Sequence, residues 1–458
     1  MLTGFNGGHN PVLSPAGSEE SNGRRPPATP PMRLLACARE IVKIPIMSRR
    51  IRLVLAFVSL FSPLRGAESW AEFRGSTADG HAPEAKVPTV WSATNQIRWK
   101  APVKGKAWSS PVVADDKVYV TTAVSEAGQV SLRAACFNLA DGSPAWDQEV
   151  FKKPEGAIHN KNSHASPTPV HSKGKLYVHF GHDGTACLDA TNGSILWTQT
   201  SLTYSPVHGN GGSPLLYEDK LIFSCDGEKD PFVVALNCAD GKIAWKTPRG
   251  ITVERTFSFS TPLLIEVKGK PQVVIPGSGA VVAYEPSNGQ ELWRFRYGEG
   301  YSVVPRPIHR NGVLYVCSGF NRAVIFAVKT DGSGDVTDTH LLWQDDKTVP
   351  KESSPILVGD QIYFNDDKGI LSCLDAATGT EVYRERLDGQ GGYSASPVYA
   401  GGHLYFHNGN GITTVVKPGK TFTKVAENQL GEFGLSSFAV VSDGFLVRTE
   451  NHLIRIGK

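Results

Sequence analysis

The sequence predicts an all-β protein, an eight-bladed β-propeller of four-stranded antiparallel blades. Its 458 residues include 47 Gly, 30 Pro, 9 Trp and 13 Tyr, a composition typical of short aromatic-rich strands joined by many turns. A Ser-Pro phrase recurs with a period of about 40 to 55 residues, the length of one propeller blade. In most periods an aromatic residue follows the glycine of an Asp-Gly or Asn-Gly pair by four positions, and such pairs are typical of tight hairpins.

The first part of the chain is expected to lie outside the propeller. From Met47 onward, basic residues precede a short apolar stretch and the small residues Gly66 and Ala67, which is the order of a secretory signal peptide. The alternative is a cytoplasmic protein with a chance apolar stretch. The predicted segments are a gene-model extension or disordered leader at 1–46, a signal peptide at 47–67, an N-terminal extension at 68–90 and the propeller at 91–458.

Charge and hydropathy restrict the location and the classes of partner. The formal charge of the whole chain is +3, but it becomes −3 without the nine Lys and Arg and three Glu of residues 1–67. Nucleic acid is therefore not expected as a partner, because phosphate binding needs a clustered basic surface. No run of 18 apolar residues occurs, so no transmembrane span is expected. We expect an exported, soluble monomer in the periplasm or the extracellular space.

The repeats place the blades and predict how the ring closes. The Ser-Pro phrase stands at 109–113, 165–167, 212–215, 260–263, 353–356 and 395–398, with weaker copies at 306–308 and 436–439. The last copy lacks its fourth strand, whereas residues 97–100 form a strand pattern with no blade before it. We therefore expect this N-terminal strand to complete the last blade and remove the open sheet edge. The alternative, an open solenoid, needs polar terminal caps that the sequence does not show.

The pattern small-x-Asp-x-x-Thr-Gly-x-x-x-Trp, as in residues 187–197 and 373–383, resembles the tryptophan-docking motif of pyrroloquinoline quinone (PQQ) propellers. The resemblance extends over roughly residues 91–458, and segments 70–75 and 108–111 also resemble exported bacterial PQQ-like repeat proteins. It implies that each aromatic ring lies between the small residue of its own motif and the glycine peptide of the next blade. The residues given this structural role are Trp99, Trp146, Trp197, Trp245, Trp293 and Tyr383, with Trp343 in the same role after an insertion at 331–338.

The cysteines carry no cofactor signature. Cys136, Cys187 and Cys373 occupy the small position of the motif, so a buried packing role is expected. A disulfide between Cys225 and Cys238 is left open. The absence of CxxCH excludes a haem domain by motif. PQQ dehydrogenases of this fold use two adjacent cysteines and a calcium site, and neither is recognisable here, so PQQ with Ca²⁺ stays an open alternative and no cofactor is certain.

Polar loops leading into the innermost strands are expected to surround the mouth of the central channel. The candidate ligand-binding residues are Lys161, Asn162, His164, His208, Arg255, Tyr301, Arg306 and Tyr393. Their charge predicts a cationic funnel that binds an anionic ligand, such as a quinone carboxylate or an acidic sugar. The alternative is that these side chains pair with neighbouring blades. His179 and His182 lack an apparent third ligand, so no metal site is expected.

Three functions are compatible with these patterns. The preferred one is a non-catalytic binding or scaffold protein of the cell envelope, related in fold to the propeller of the outer-membrane assembly lipoprotein, with an envelope protein or a small anionic ligand as partner. The second is a PQQ-dependent dehydrogenase of alcohols or sugars with an atypical pocket. The third is a carbohydrate-active propeller, for which no carboxylate pair is identified. No catalytic residue is assigned.

Overall fold

Each sequence repeat folds into one antiparallel blade, so the predicted all-β propeller is confirmed. The computed structural model describes residues 69–387 and 389–458, which contain eight sheets and no α-helix. One 3-10 turn occurs, at Gly181–Asp183. The predicted leader and signal peptide lie outside the described residues. Among the residues that the structure describes, no helix is long and apolar enough to cross a membrane.

Blades 1 to 4 follow each other along the chain, each beginning with the strand nearest the axis. Blade 1 has strands Val112–Ala114, Lys117–Glu126, Gln129–Asn138 and Pro144–Pro154. Blade 2 has strands Val170–Ser172, Lys175–His179, Thr185–Asp189 and Ile195–Gln199. Blade 3 has strands Leu215–Tyr217, Lys220–Cys225, Phe232–Asn237 and Ile243–Pro248. Blade 4 has strands Leu263–Val267, Lys270–Pro276, Ala280–Tyr284 and Glu291–Arg296.

Blades 5 to 8 repeat this order. Blade 5 has strands Ile308–Arg310, Val313–Cys317, Ile325–Lys329 and Leu341–Asp345. Blade 6 has strands Ile356–Val358, Gln361–Asn365, Ile370–Asp375 and Glu381–Arg386. Blade 7 has strands Val398–Ala400, His403–His407, Ile412–Val416 and Lys424–Gln429. Blade 8 has strands Ala439–Val441, Gly444–Arg448, His452–Gly457 and, from the other end of the propeller sequence, Ile97–Pro102.

The ring closes as the sequence predicts. The strand Ile97–Pro102 pairs antiparallel with His452–Gly457, and Ala101 lies opposite Leu453. The second Ser-Pro repeat, however, lies two residues beyond the predicted position, because the strand that begins at Val170 follows Thr168 and Pro169. Apolar side chains fill the spaces between neighbouring blades, so each blade buries its two faces against its neighbours.

Two short strands extend the blades in parallel. Gly334–Asp335, from the insertion in blade 5, pairs with the outer strand of blade 4. His81–Ala82 pairs with the inner strand of blade 7. A sheet edge covered in this way offers fewer unpaired backbone groups to other chains.

A channel segment, residues 70–82, crosses the ring. Trp70 exchanges backbone hydrogen bonds with Val113 of blade 1, and the Ala71 carbonyl accepts the N–H of His171 of blade 2. On the opposite side, the Arg74 guanidinium donates to the Pro355 carbonyl of blade 6 at 3.0 Å. Because blades 1 and 2 face blades 5 and 6 across the ring, this segment must pass over the axis and close one end of the channel.

Candidate functional site

A belt of hydroxyl side chains connects the starts of the innermost strands. In six places a backbone N–H donates to the side-chain hydroxyl of the next blade, at 2.9 to 3.0 Å. The belt residues, in ring order, are Ser110, Thr168, Ser213, Thr261, Arg306, Ser354, Ser396 and Ser437. The Ser-Pro repeat therefore has a physical cause, because six of its serine and threonine hydroxyls each accept a backbone N–H of the preceding blade at the axis.

An axial funnel of about 890 Å³ opens above this belt. Its walls come from the loops that lead into the innermost strands and from hairpin loops of blades 3, 5 and 6 on the same face. Phe73, from the channel segment, contributes to its floor. The volume lies within the range of about 300 to 1,000 Å³ that is usual for ligand sites.

One wall of the funnel is an aromatic arc, formed by His208, Phe257, Phe259, Tyr301 and Phe320. Neighbouring rings contact each other with centroids 5.2 to 6.2 Å apart. Burial lowers the pKa of His208, which favours the neutral ring. The arc therefore offers flat aromatic faces for a ligand.

An ion pair spans the funnel between the loops that lead into blades 2 and 6, and a second carboxylate lies near it. Lys161 Nζ lies 2.7 Å from Glu352 Oε1, and Ser394 donates its hydroxyl to the other oxygen of Glu352. Burial and the neighbouring Glu352 charge raise the pKa of Asp367. Burial opposes the charged form of Lys161, but the hydrogen bond and charge of Glu352 outweigh it, so the Lys161 pKa is raised.

The funnel is not cationic, so this part of the prediction is wrong. Its described lining has three Lys and Arg residues against four Asp and Glu residues. Two of its carboxylates, Glu254 and Glu352, stand in the loops that lead into innermost strands, and the other two, Glu228 and Asp367, come from hairpin loops inside blades. The charged lining residues are Lys161, Arg255, Lys351, Glu228, Glu254, Glu352 and Asp367.

The structure brings five of the eight candidate residues together in the lining, which are Lys161, Asn162, His208, Arg255 and Tyr301. His164 is buried beside the funnel without lining it, and burial lowers its pKa. Tyr393 is also buried, and its ring packs on Gly369 of blade 6. Whether the five lining residues bind a ligand stays a prediction.

Arg306 has a different position from the one predicted. It occupies the belt position of blade 5, and its guanidinium donates to the Pro262 carbonyl at 2.9 Å and the Phe73 carbonyl at 2.7 Å. It also pairs with Glu72 at 3.2 Å. Its side chain is 1% exposed, so Arg306 holds the channel segment in place and does not face the funnel.

The outer-strand tryptophans contact the next blade. Five indole N–H groups donate to a backbone carbonyl there at 2.9 to 3.0 Å: Trp99 to Leu139, Trp146 to Ala190, Trp197 to Cys238, Trp245 to Pro286 and Trp343 to Ala376. Trp293 instead donates to Gln272 of its own blade, since its strand pairs with the insertion at Gly334–Asp335. Tyr383 lies opposite Cys373 and packs against Phe422 of blade 7.

The lining does not fit PQQ with Ca²⁺. All six cysteines of the described chain are unpaired and buried, Cys225 and Cys238 included, and none lines the funnel. Among the described residues, no group of three or more His, Cys, Asp and Glu is arranged to hold a metal ion. The carboxylates of the lining would also repel the acidic groups of the quinone.

Comparisons with known proteins agree with this fold. The family model for outer membrane protein assembly factor BamB matches residues 131–385 and 333–450. BamB from Shewanella oneidensis is 21% identical over 296 residues, which are 61% of this chain and 64% of that protein. An uncharacterized protein of Rickettsia conorii is 21% identical over 63% of this chain and 64% of its own length. The chain thus spans less than two thirds of these curated relatives.

Enzymes also share the fold. A quinoprotein ethanol dehydrogenase of Pseudomonas aeruginosa is 28% identical over 144 residues, covering 28% of this chain and 22% of that protein. Among solved structures, BamB from Moraxella catarrhalis has a TM-score of 0.53 at 15% identity, covering 78% of this chain and 96% of that one. A europium-containing methanol dehydrogenase has a TM-score of 0.61 at 11% identity, covering 84% and 89%.

Proposed function

Because the chain belongs to the family of outer membrane protein assembly factor BamB, we propose that it is a non-catalytic binding protein of the cell envelope. In this proposal the protein is exported, and it holds another envelope protein at its funnel face. The order of residues in 47–67 supports export, and the BamB relatives support an envelope location.

The funnel lining is the observation that carries the proposal. It offers aromatic faces, hydroxyls and paired charges, which are groups that bind. It has neither a cysteine nucleophile nor a group of metal ligands among the described residues. Two apolar side chains, Val207 and Phe320, line the mouth while 42% and 49% exposed, as expected of a surface that a partner covers.

The test is site-specific photo-crosslinking in the native envelope. A photoreactive amino acid replaces Phe320 at the funnel mouth, and adducts are identified by mass spectrometry. The matched control places the same amino acid at Val90, which is 60% exposed and lies outside the funnel. We expect an envelope protein to be captured from position 320 and not from position 90.

The same preparation tests the enzyme alternative. Purified protein is titrated with PQQ and Ca²⁺ while quinone absorbance and dye-linked oxidation of alcohols and sugars are followed. Turnover would replace the binding proposal with a dehydrogenase. Equal capture of envelope proteins from positions 320 and 90 would show that the partner does not bind at the funnel face.

A further inference from the structure

The three cations of the funnel lining are already engaged by neighbouring groups. Lys161 pairs with Glu352. The Arg255 guanidinium donates to the Tyr301 hydroxyl and lies 4.7 Å from that ring centroid. Lys351 Nζ lies 4.7 Å from the centroid of Phe320. An anionic ligand would therefore compete with Glu352 for Lys161, and it would meet Arg255 and Lys351 already held against aromatic rings.

Three carboxylates of the lining form no ion pair among the described residues, although the charges of Lys161 and Lys351 act on one of them, Asp367. Glu228 and Glu254 are exposed at the mouth and form no ion pair there. Asp367 accepts the backbone N–H of Lys351 at 3.2 Å and forms no ion pair. Arg255 and Lys351 keep their charge, because a hydroxyl and an aromatic ring do not neutralise a cation. The lining still has one more carboxylate than cations, and Glu228 and Glu254 place negative charge at the mouth, where electrostatic attraction favours a cation.

The remaining features match a cation carried by a polypeptide. Phe257 and Phe259 offer ring faces of the kind that attract Lys and Arg groups. The exposed apolar mouth would be covered by residues on either side of the cation, whereas a small free amine would leave most of it uncovered.

We propose that the funnel receives a basic segment of a polypeptide, whose Lys or Arg side chain is attracted by the free carboxylates Glu228 and Glu254 and contacts the rings of Phe257 and Phe259. The proposal rests on the proposed function, since it names the chemistry that the envelope partner presents. It replaces the anionic ligand that the sequence alone predicts.

The test uses the purified full chain and short fluorescent peptides in binding anisotropy. One peptide carries Lys-Phe-Lys in a Gly-Ser host, and its counterpart carries Glu-Phe-Glu. We expect only the basic peptide to bind, with weaker binding at higher salt. The double substitution Glu228→Gln with Glu254→Gln should weaken binding by about tenfold or more. The control, Glu126→Gln with Glu266→Gln, makes the same change in net charge outside the funnel and should change binding less than about twofold.

Each alternative result overturns the inference. Equal binding of the acidic peptide, or equal effects of the two double variants, would show that the free carboxylates do not select the ligand. Spermidine, included as a free amine, would overturn the polypeptide source if it bound as tightly as the basic peptide. If no peptide binds but position 320 still captures an envelope protein, only the inference fails; if that capture is also lost, the proposed function fails with it.

Discussion

At the scale of single residues, the tryptophans explain why glycine occupies one turn position in successive blades. Gly142, Gly193, Gly241, Gly289 and Gly379 all have positive φ, and a Cβ on any of them would lie 2.4 to 2.7 Å from an indole of the preceding blade. The glycine is thus needed for two reasons, the backbone conformation and the close approach of the ring.

Alanine substitutions at Gly241 and Gly128 separate the effect of the backbone conformation from that of the close indole ring. Gly241 has φ +70 and a Cβ there would lie 2.5 Å from Trp197, whereas Gly128 has φ +73 and nothing within 4 Å. We expect Gly128→Ala to cost roughly 1 kcal/mol of unfolding free energy from the backbone alone. Gly241→Ala should cost roughly 1 to 3 kcal/mol more, because the indole must shift. Urea denaturation measures both, and equal losses would show that the ring does not constrain this glycine.

A buried histidine predicts acid sensitivity. His407 bonds Thr413 at 2.8 Å, and burial lowers its pKa from 6.5 to about 4. Above pH 6.5 the His407 ring is neutral in both the folded and the unfolded chain. Between pH 6.5 and 4, His407 binds a proton in the unfolded chain but stays neutral in the folded chain. Stability should therefore fall by roughly 3 kcal/mol between pH 6.5 and 4 through this group.

The variant His407→Gln tests whether His407 causes this pH dependence, because glutamine does not ionise between pH 6.5 and 4. The variant should have a flatter dependence of unfolding free energy on pH between 6.5 and 4. The slope is compared with that of the wild-type chain, measured under the same conditions. An unchanged slope in the His407 variant would contradict the prediction.

At the scale of elements, the channel segment is held by buried charge. Glu72 and Arg306 pair at 3.2 Å with side chains 15% and 1% exposed, and burial raises the Glu72 pKa despite the arginine. Such a pair adds little over an apolar contact, but breaking it leaves one charge buried alone.

Arg306→Ala should therefore lower the unfolding free energy by about 3 to 5 kcal/mol. Adding Glu72→Gln to this variant removes the stranded carboxylate and should restore at least about 1 kcal/mol. Thermal and urea denaturation of the two variants give the comparison. A double variant that is no more stable than Arg306→Ala would show that the lost hydrogen bonds to backbone carbonyls, and not the stranded charge, dominate.

Elements and residues differed in how well the sequence predicted them. The blades and the closing strand at 97–102 followed from local turn chemistry and a period, which repeat identically along the chain. Arg306 was misplaced because its partners, Glu72 and Phe73, lie more than 230 residues away. Glu228, Phe320 and Asp367 were missed because they lie in loops inside a blade, which carry no repeated signal. Only the three-dimensional ring brings these groups to one face.

At the scale of the whole molecule, closure makes each blade depend on all others. An open repeat array transmits a local loss of stability mainly to its neighbours. In this ring, the strand Ile97–Pro102 connects the two ends of the propeller sequence within one sheet. Loss of blade 8 would therefore expose the apolar faces of blades 7 and 1 on the two sides of the opening.

Trp99→Ala probes this coupling. It removes a buried indole and its bond to Leu139, at a cost of about 3 to 5 kcal/mol. We expect hydrogen exchange measured by mass spectrometry to show lost protection in blade 4, residues 263–296, together with blade 8, residues 439–457. Protection that falls in blade 8 while staying at the wild-type level in blade 4 would show that the blades unfold independently.

The channel segment also restricts how a ligand can enter the central channel. Since residues 70–82 pass over one end of the channel, a long polymer has no path through the ring. A polypeptide ligand must enter as a chain end or a hairpin tip, and it must leave through the same opening. Binding and release then use the same opening. Substitutions at that opening should therefore change the association and dissociation rate constants together.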